Sequence, residues 1–131
     1  YKFTIIRNPI DCAISRYYRL IKKDNIEIDF PTFLRLYGPF IYDNWRIVSE
    51  HDVFLLDDFI FYENRKSDVE RIGNTIGLPE NLYDIYSKIS AKSGLRPTDI
   101  DDSELVGPEE LNFINYLCKP EITFFKYFQQ R

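Results

Sequence analysis

The sequence predicts a helix-rich chain of the α/β class. Short apolar runs with strand character, at residues 3–6 and 53–56, alternate with longer segments in which apolar residues recur every three or four positions. The short runs are typical of buried strands, and the longer spacing is typical of amphipathic helices. Of the 131 residues, 44% are apolar and 17% are aromatic. The chain therefore has enough apolar surface to bury a core.

The first predicted helix has the clearest start in the sequence. Asn8 is a good N-cap, and Pro9 at the first helical position lacks only an N–H that would have no partner there. Asp11 lies in the first turn, where the helix dipole favours a negative charge. The spacing of five apolar residues predicts the buried stripe of this helix, which consists of Ile10, Ala13, Ile14, Tyr17 and Ile21.

Two polar side chains beside this helix predict an anion site. Arg7 ends the strand, at the carboxyl edge where α/β sheets bind ligands. Ser15 lies on the second turn of the helix, away from the apolar stripe. Arginine supplies a planar fork of charge-assisted donors and serine adds a neutral donor, so both can bind one phosphate. The alternative is that Arg7 is a surface ion-pair partner and that Ser15 is solvated.

The order Arg7-Asn8-Pro9-x-Asp11 after an apolar strand, with Ser15 eight positions beyond Arg7, resembles a known segment. It is the 3′-phosphate-binding segment of sulfotransferases that use 3′-phosphoadenosine 5′-phosphosulfate (PAPS). In that family the segment lies in the middle of the domain. The resemblance therefore implies that residues 1–131 are a single partial domain, the C-terminal part of a sulfotransferase domain without its N-terminal P-loop half.

The resemblance also implies a fold and an activity. The fold is the P-loop-NTPase-like three-layer α/β arrangement, with a parallel sheet between helices, of which this chain is the helix-rich C-terminal half. The family transfers a sulfuryl group from PAPS to an acceptor hydroxyl or amine without a metal. The implied partners are therefore the nucleotide donor and an acceptor that these residues do not identify.

The second predicted strand departs from the family pattern. In sulfotransferases the corresponding strand is followed by an acidic pair, often within Tyr-Glu-Asp-Leu, and the tyrosine often packs near the adenine. Here Asp57 and Asp58 supply the acidic pair after residues 53–56. The family's tyrosine then falls on Leu56, and Tyr62 lies nearby but out of register.

Local signals predict two further helix boundaries. Gly38-Pro39 predicts the end of a helix that begins at residue 29 or 32, with a separate helix over residues 40–48. Ser67, with Glu70 three residues later, is a capping box, which predicts that a helix begins at Ser67.

The second candidate site is the polar loop over residues 90–97, which contains Lys92, Ser93, Gly94 and Arg96. Sulfotransferases have a flexible, basic, glycine-containing loop here that folds over the nucleotide and contacts its 3′-phosphate. The resemblance assigns that role to these four residues. Glycine would let backbone N–H groups approach the phosphate, and the two cations would neutralise it. An ordinary surface loop is the alternative.

Composition disfavours several other classes of function. The net charge of −4, with no basic patch among aromatic residues, gives no indication of nucleic-acid binding. No apolar run is long enough to span a membrane. Cys12 and Cys118 have no neighbouring cysteine or histidine and are predicted to pack as small hydrophobes. His51, the one histidine, is predicted to be an exposed loop residue. We expect no metal site and assign no catalytic residue in this chain.

Two other functions remain open on the sequence alone. One is a catalytically inactive sulfotransferase-like domain that binds a nucleotide or a protein, and the other is a nucleotide kinase of the same broad fold, which would need Mg²⁺. A Lys-x-Gly-Thr loop upstream would favour a sulfotransferase, and Gly-x-x-x-x-Gly-Lys would favour a kinase. We expect these 131 residues alone to have no sulfotransferase activity. The lack of an Asn-x-Ser/Thr site favours the cytosol and leaves the Golgi open.

Overall fold

The computed structural model describes residues 1–41, 44–51, 53–89, 94–99 and 101–129. This part of the chain is a mixed α/β structure rich in helix, as predicted. It divides into two compact units. Unit 1 comprises Tyr1–Arg7 and Val48–Lys92, and unit 2 comprises Asn8–Ile47 and Ser93–Arg131.

The elements follow one another in the order β1 (Phe3–Ile6), α1 (Pro9–Lys23), α2 (Phe30–Ile41), α3 (Asn44–Val48), β2 (Ser49–Glu50), β3 (Val53–Phe54), β4 (Asp58–Phe61), a 3-10 turn (Tyr62–Asn64), α4 (Arg65–Thr75), α5 (Leu82–Tyr86), α6 (Asp102–Leu105), α7 (Pro108–Leu117) and α8 (Lys119–Gln129).

Unit 1 contains a parallel pair of strands. β1 and β4 run in parallel, in a register that places Ile6 beside Phe61. The prediction of a core strand over residues 53–56 is wrong, because β3 covers only its first half and pairs antiparallel with β2. The backbone N–H groups of Asp57 and Asp58 donate to the Lys2 carbonyl at 2.9 and 3.2 Å. The acidic pair therefore begins the core strand instead of following it.

The core of unit 1 lies between β4 and α4. Ile60, Val69 and Ile72 are buried, and α5 packs against this cluster and against α4. Gly73 permits the close approach of α5, because a Cβ there would lie 3.3 Å from the Cβ of Leu82. The prediction that residues 3–6 are a buried strand is wrong for Phe3, which is 42% exposed, and for the similarly exposed Ile5.

The start of α4 also differs from the prediction. The helix begins at Arg65, two residues before Ser67, because the 3-10 turn after β4 leads directly into it. The Ser67 hydroxyl donates to the Asn64 carbonyl at 3.0 Å instead of capping the helix. The Asp68 carboxylate accepts the Phe61 N–H at 2.8 Å, which ties the first turn of α4 to the end of β4.

A polar network fixes the other end of β4. The Asp58 carboxylate accepts hydrogen bonds from the Tyr1 hydroxyl at 2.6 Å, from the Phe59 N–H at 2.7 Å and from the Arg71 guanidinium. Arg71 also donates to the Phe59 carbonyl at 2.9 Å. Burial raises the pKa of Asp58, but these three donors outweigh it and hold the pKa below its ordinary value.

Unit 2 is a helical bundle with an aromatic core. Its α1 begins as predicted, because the Asn8 side chain accepts the Ile10 N–H at 2.9 Å and Pro9 is the first helical residue. The ring of Tyr17 packs 5.2 Å from Phe30 and 5.5 Å from Phe33. The central buried cluster combines α1, α2, α7 and the residue that follows α7, and it comprises Ala13, Ile14, Tyr17, Tyr18, Phe30, Phe33, Leu34, Ile114 and Cys118.

Helix α2 does not end at Gly38-Pro39, as the local signal predicts, but continues to Ile41. Gly38 is buried against α7, where a Cβ would lie only 2.9 Å from Leu117 Cδ1. Pro39 falls in the last turn, so its missing N–H costs at most one intrahelical hydrogen bond. Packing against α7 therefore overrides the helix-breaking tendency of the pair.

Glu121, in the first turn of α8, is a half-buried carboxylate of unit 2. Among the described residues, no donor lies within hydrogen-bonding distance of its Oε2, which is shielded from solvent. Burial raises the pKa of Glu121, and hydrogen bonds with the backbone of Glu121 and Trp45 offset only part of the rise. The pKa of Glu121 is therefore raised, whereas the pKa of Asp58 is lowered.

Candidate functional site

The carboxyl ends of β1 and β4 carry the first predicted site residue. Arg7 follows β1 directly and Tyr62 follows β4 directly, so the parallel register brings both to one edge of the strand pair. The Arg7 guanidinium carbon lies 4.3 Å from the centroid of the Tyr62 ring. Such a cation–π contact contributes about 0.5–1 kcal/mol at an exposed site, and it orients the guanidinium.

Arg65 is a second cation on the same ring, and it is not among the site residues predicted from the sequence. Its guanidinium carbon lies 4.8 Å from the Tyr62 centroid. One of its N–H groups donates to the Tyr62 carbonyl at 3.1 Å. The sequence contained one signal for this residue, which is a cation three positions after an aromatic residue at the end of an apolar run.

Ser15 belongs to unit 2, where it lies on α1 outside the buried stripe. The side chain is half-buried. Asp11 precedes it by four residues, so the two side chains lie on the same face of the helix, one turn apart. Since Arg7 is the last residue of its segment in unit 1, the two predicted clamp residues lie in different units.

Arg96, from the predicted phosphate loop, lies beside the same helix of unit 2. Its guanidinium donates to the Asp11 carboxylate, 85 positions away in sequence, and to the Asp102 carboxylate. Burial lowers the pKa of Arg96, but the bonds to Asp102 and Asp11 outweigh it and hold the pKa above its ordinary value. The structure therefore brings Arg96 to the turn of α1 that precedes Ser15.

The remaining residues of this loop are described only in part. Gly94 has φ of +76°, in the left-handed region that glycine adopts without strain. A residue with a side chain would be disfavoured at this position. Lys92 and Ser93 lie outside the described residues.

Metal-binding groups and membrane-spanning helices are both absent from the described residues. No group of three or more His, Cys, Asp or Glu side chains is arranged to hold a metal ion in this part of the chain. No described helix combines the length and the apolar character that crossing a membrane requires. His51 is exposed in a turn, as predicted, and Cys118 is buried in the core of unit 2.

Comparison of the chain with protein-family models, with curated proteins and with solved structures found no match.

Proposed function

We propose that this chain is the 3′-phosphate-binding part of a PAPS-dependent sulfotransferase. The observation that carries the proposal is the position of Arg7, at the carboxyl end of a strand whose parallel neighbour ends in Tyr62. Ligands of α/β proteins bind at this edge of the sheet. The guanidinium would bind the phosphate through charge-assisted hydrogen bonds.

The corrected position of the second strand supports the resemblance. Because β4 is the parallel neighbour of β1, the residues that follow it are Tyr62, Glu63 and Asn64. This order is similar to the Tyr-Glu-Asp that follows the corresponding strand in sulfotransferases. With the strand at residues 53–56, the family's tyrosine fell on Leu56.

Each predicted residue has a separate part in the proposed chemistry. Arg7 supplies charge and a planar fork of donors, and Ser15 adds one neutral donor. The resemblance gives Arg96 a contact with the same phosphate, for which its guanidinium would have to exchange the carboxylates of Asp11 and Asp102. Lys92, Ser93 and the backbone at Gly94 would join it. The sulfuryl group passes in line from PAPS to an acceptor hydroxyl or amine, and no residue of this chain is assigned to that step.

Calorimetry with the complete protein tests the proposal through the 3′-phosphate. Arg7→Ala should weaken binding of 3′-phosphoadenosine 5′-phosphate by about 2–4 kcal/mol, because a charge-assisted and partly desolvated partner is lost. Ser15→Ala should cost about 1 kcal/mol, because its donor is neutral. Both losses should largely disappear with adenosine 5′-phosphate, which lacks the 3′-phosphate.

The control is Lys2→Ala, which removes an exposed cation at the opposite end of β1 from Arg7 and should leave the binding of both nucleotides nearly unchanged. General damage to the fold would weaken both nucleotides alike in any variant. If Arg7→Ala binds the 3′-phosphorylated nucleotide as tightly as the parent protein, the proposed function is wrong. Tighter binding on addition of Mg²⁺ would favour a kinase instead.

A further inference from the structure

The Tyr62 ring holds two guanidinium groups that electrostatics alone would separate. Arg7 and Arg65 lie 4.3 and 4.8 Å from the same ring centroid. All three residues belong to unit 1, and all three side chains are half-buried. Two like charges in a partly desolvated place repel each other more strongly than they would in water. Their shared attraction to the ring offsets part of that repulsion.

The position of Arg65 is also unfavourable for its own helix. Arg65 and Lys66 are the first two residues of α4, where the helix dipole opposes positive charge. A carboxylate at this position would interact favourably with the helix dipole, so the dipole does not explain the arginine. Positions where a sequence departs from such local rules tend to be functional, because the cost is recovered when a ligand binds.

We propose that Arg65 is a second arginine of the Arg7 anion site, and that the two guanidinium groups together bind the dianion of a phosphate monoester at the edge of the Tyr62 ring. The inference rests on the proposed function in taking phosphate as the ligand of Arg7. A guanidinium has five N–H donors, and Arg65 uses one of them for the Tyr62 carbonyl. The others can bind phosphate oxygens, and a bound dianion attracts both guanidinium groups.

Tyr62 acts in this site as a platform. Its ring fixes both guanidinium groups before the ligand arrives, which reduces the loss of side-chain freedom on binding. The ring itself is held by the backbone, because β4 ends at Phe61, whose N–H is bonded to Asp68 at 2.8 Å. Tyr62→Leu should therefore weaken phosphate binding although it removes no charge, whereas Tyr62→Phe should preserve it.

Calorimetric titration of the complete protein tests the inference, with 3′-phosphoadenosine 5′-phosphate and inorganic pyrophosphate as probes. Arg65→Ala should weaken binding of the nucleotide by about 10- to 100-fold, as expected for the loss of charge-assisted hydrogen bonds. Arg65→Lys should recover only part of the loss, because an ammonium keeps the charge without the planar fork. Lys66→Ala is the matched control, since it removes an exposed neighbouring cation and should change binding by less than about threefold.

The outcomes separate this inference from the proposed function. Loss of nucleotide binding in Arg7→Ala with none in Arg65→Ala would overturn the inference and leave the function standing. Equal losses in Arg65→Ala and Lys66→Ala would also overturn it, because they would indicate unspecific charge attraction. If pyrophosphate binding depends on both arginines while the 3′-phosphate confers no preference, the paired site stands and the sulfotransferase proposal fails. Thermal melting of each variant identifies any loss that comes from unfolding.

Discussion

Asp58 in unit 1 and Glu121 in unit 2 are both shielded carboxylates, and their pKa values move in opposite directions. Burial raises the pKa of each. Around Asp58, the Arg71 guanidinium, the Tyr1 hydroxyl and the Phe59 N–H reverse the effect. Around Glu121 only backbone hydrogen bonds offset it, and among the described residues Oε2 has no donor. Burial acts in the same direction on both groups, so the supply of donors decides whether the pKa of each carboxylate ends below or above its ordinary value.

The same contrast extends to the way each unit is held together. Unit 1 has a small apolar core, and polar bonds fix both ends of β4. Unit 2 has a larger core built around the rings of Tyr17, Phe30 and Phe33. We therefore expect unit 1 to be sensitive to pH and charge, and unit 2 to be sensitive to the volume of its side chains.

The largest expected effect is in the aromatic core of unit 2. Phe30→Ala should lower the free energy of unfolding by about 3–5 kcal/mol, because a fully buried ring leaves a cavity that its neighbours fill only in part. Trp45 is the single tryptophan and packs 5.3 Å from Phe124 within unit 2, so its fluorescence during urea titration follows this unit. Leu36→Ala, on the same helix but 59% exposed, should cost less than about 1 kcal/mol. Equal losses would contradict the assignment of the core.

The next effect concerns the network of unit 1. Asp58→Asn should destabilise unit 1 by about 1–2 kcal/mol at pH 7, because it removes charge-assisted bonds, one of them to the partly exposed Arg71. The pKa of Asp58 is lower in the folded state than its ordinary value of 3.8, so this stability is present above about pH 4. It is lost as the pH falls through the folded-state pKa, and the difference between the two proteins should then vanish.

Hydrogen exchange of the Ile60 and Phe61 amides measures this effect, since unit 1 contains no tryptophan. Glu80→Gln removes an exposed carboxylate of the same unit and should leave the exchange unchanged. A destabilisation by Asp58→Asn that does not begin to shrink as the pH falls below 3.8 would mean that packing, rather than charge, is responsible.

A smaller effect of opposite sign is expected at Glu121. Glu121→Gln should stabilise unit 2 at pH 7 by less than about 1 kcal/mol, because a half-buried and incompletely paired charge is removed. The pKa of Glu121 is raised in the folded state, so the parent protein should lose stability as the pH rises above the ordinary value of 4.5. Trp45 fluorescence in urea at pH 5 and pH 7 measures this, with the exposed Glu109→Gln in the first turn of α7 as the control. If Glu121→Gln stabilises unit 2 equally at both pH values, the charge of Glu121 is not the cause.

The smallest expected effect is a change in nucleotide affinity that depends on what Arg96 contacts, in contrast to Arg65. Arg65 rests on an aromatic ring, whereas Arg96 is paired with two carboxylates that compete with a phosphate. Asp102→Asn should therefore tighten binding of 3′-phosphoadenosine 5′-phosphate by about twofold to threefold in calorimetry. Asp101→Asn removes the same charge and preserves the N-cap of α6, so it should have no effect. Weaker binding in Asp102→Asn would show that the Arg96–Asp102 ion pair positions Arg96 for the phosphate instead of competing with the phosphate for Arg96.

Local signals predicted some elements correctly and others wrongly, for identifiable reasons. The start of α1 was predicted because Asn8 and Pro9 act on backbone groups within two or three residues of themselves. The predicted end of α2 was wrong because α7, which is far away in sequence, packs on Gly38. The predicted start of α4 was wrong because the preceding 3-10 turn leads straight into the helix. Ser67 therefore lies inside the helix and does not cap it.

The sequence by itself determined the helix-rich α/β class, the capped first helix and the strand-end position of Arg7, because each depends on interactions between near neighbours. Only the tertiary structure decided which strand pairs with β1, since Lys2 and Asp57 meet across 55 positions of the chain. The same is true of the two arginines on Tyr62 and of the pair between Arg96 and Asp11. Contacts of this kind depend on how distant segments pack, and the residues next to them in sequence do not encode that packing.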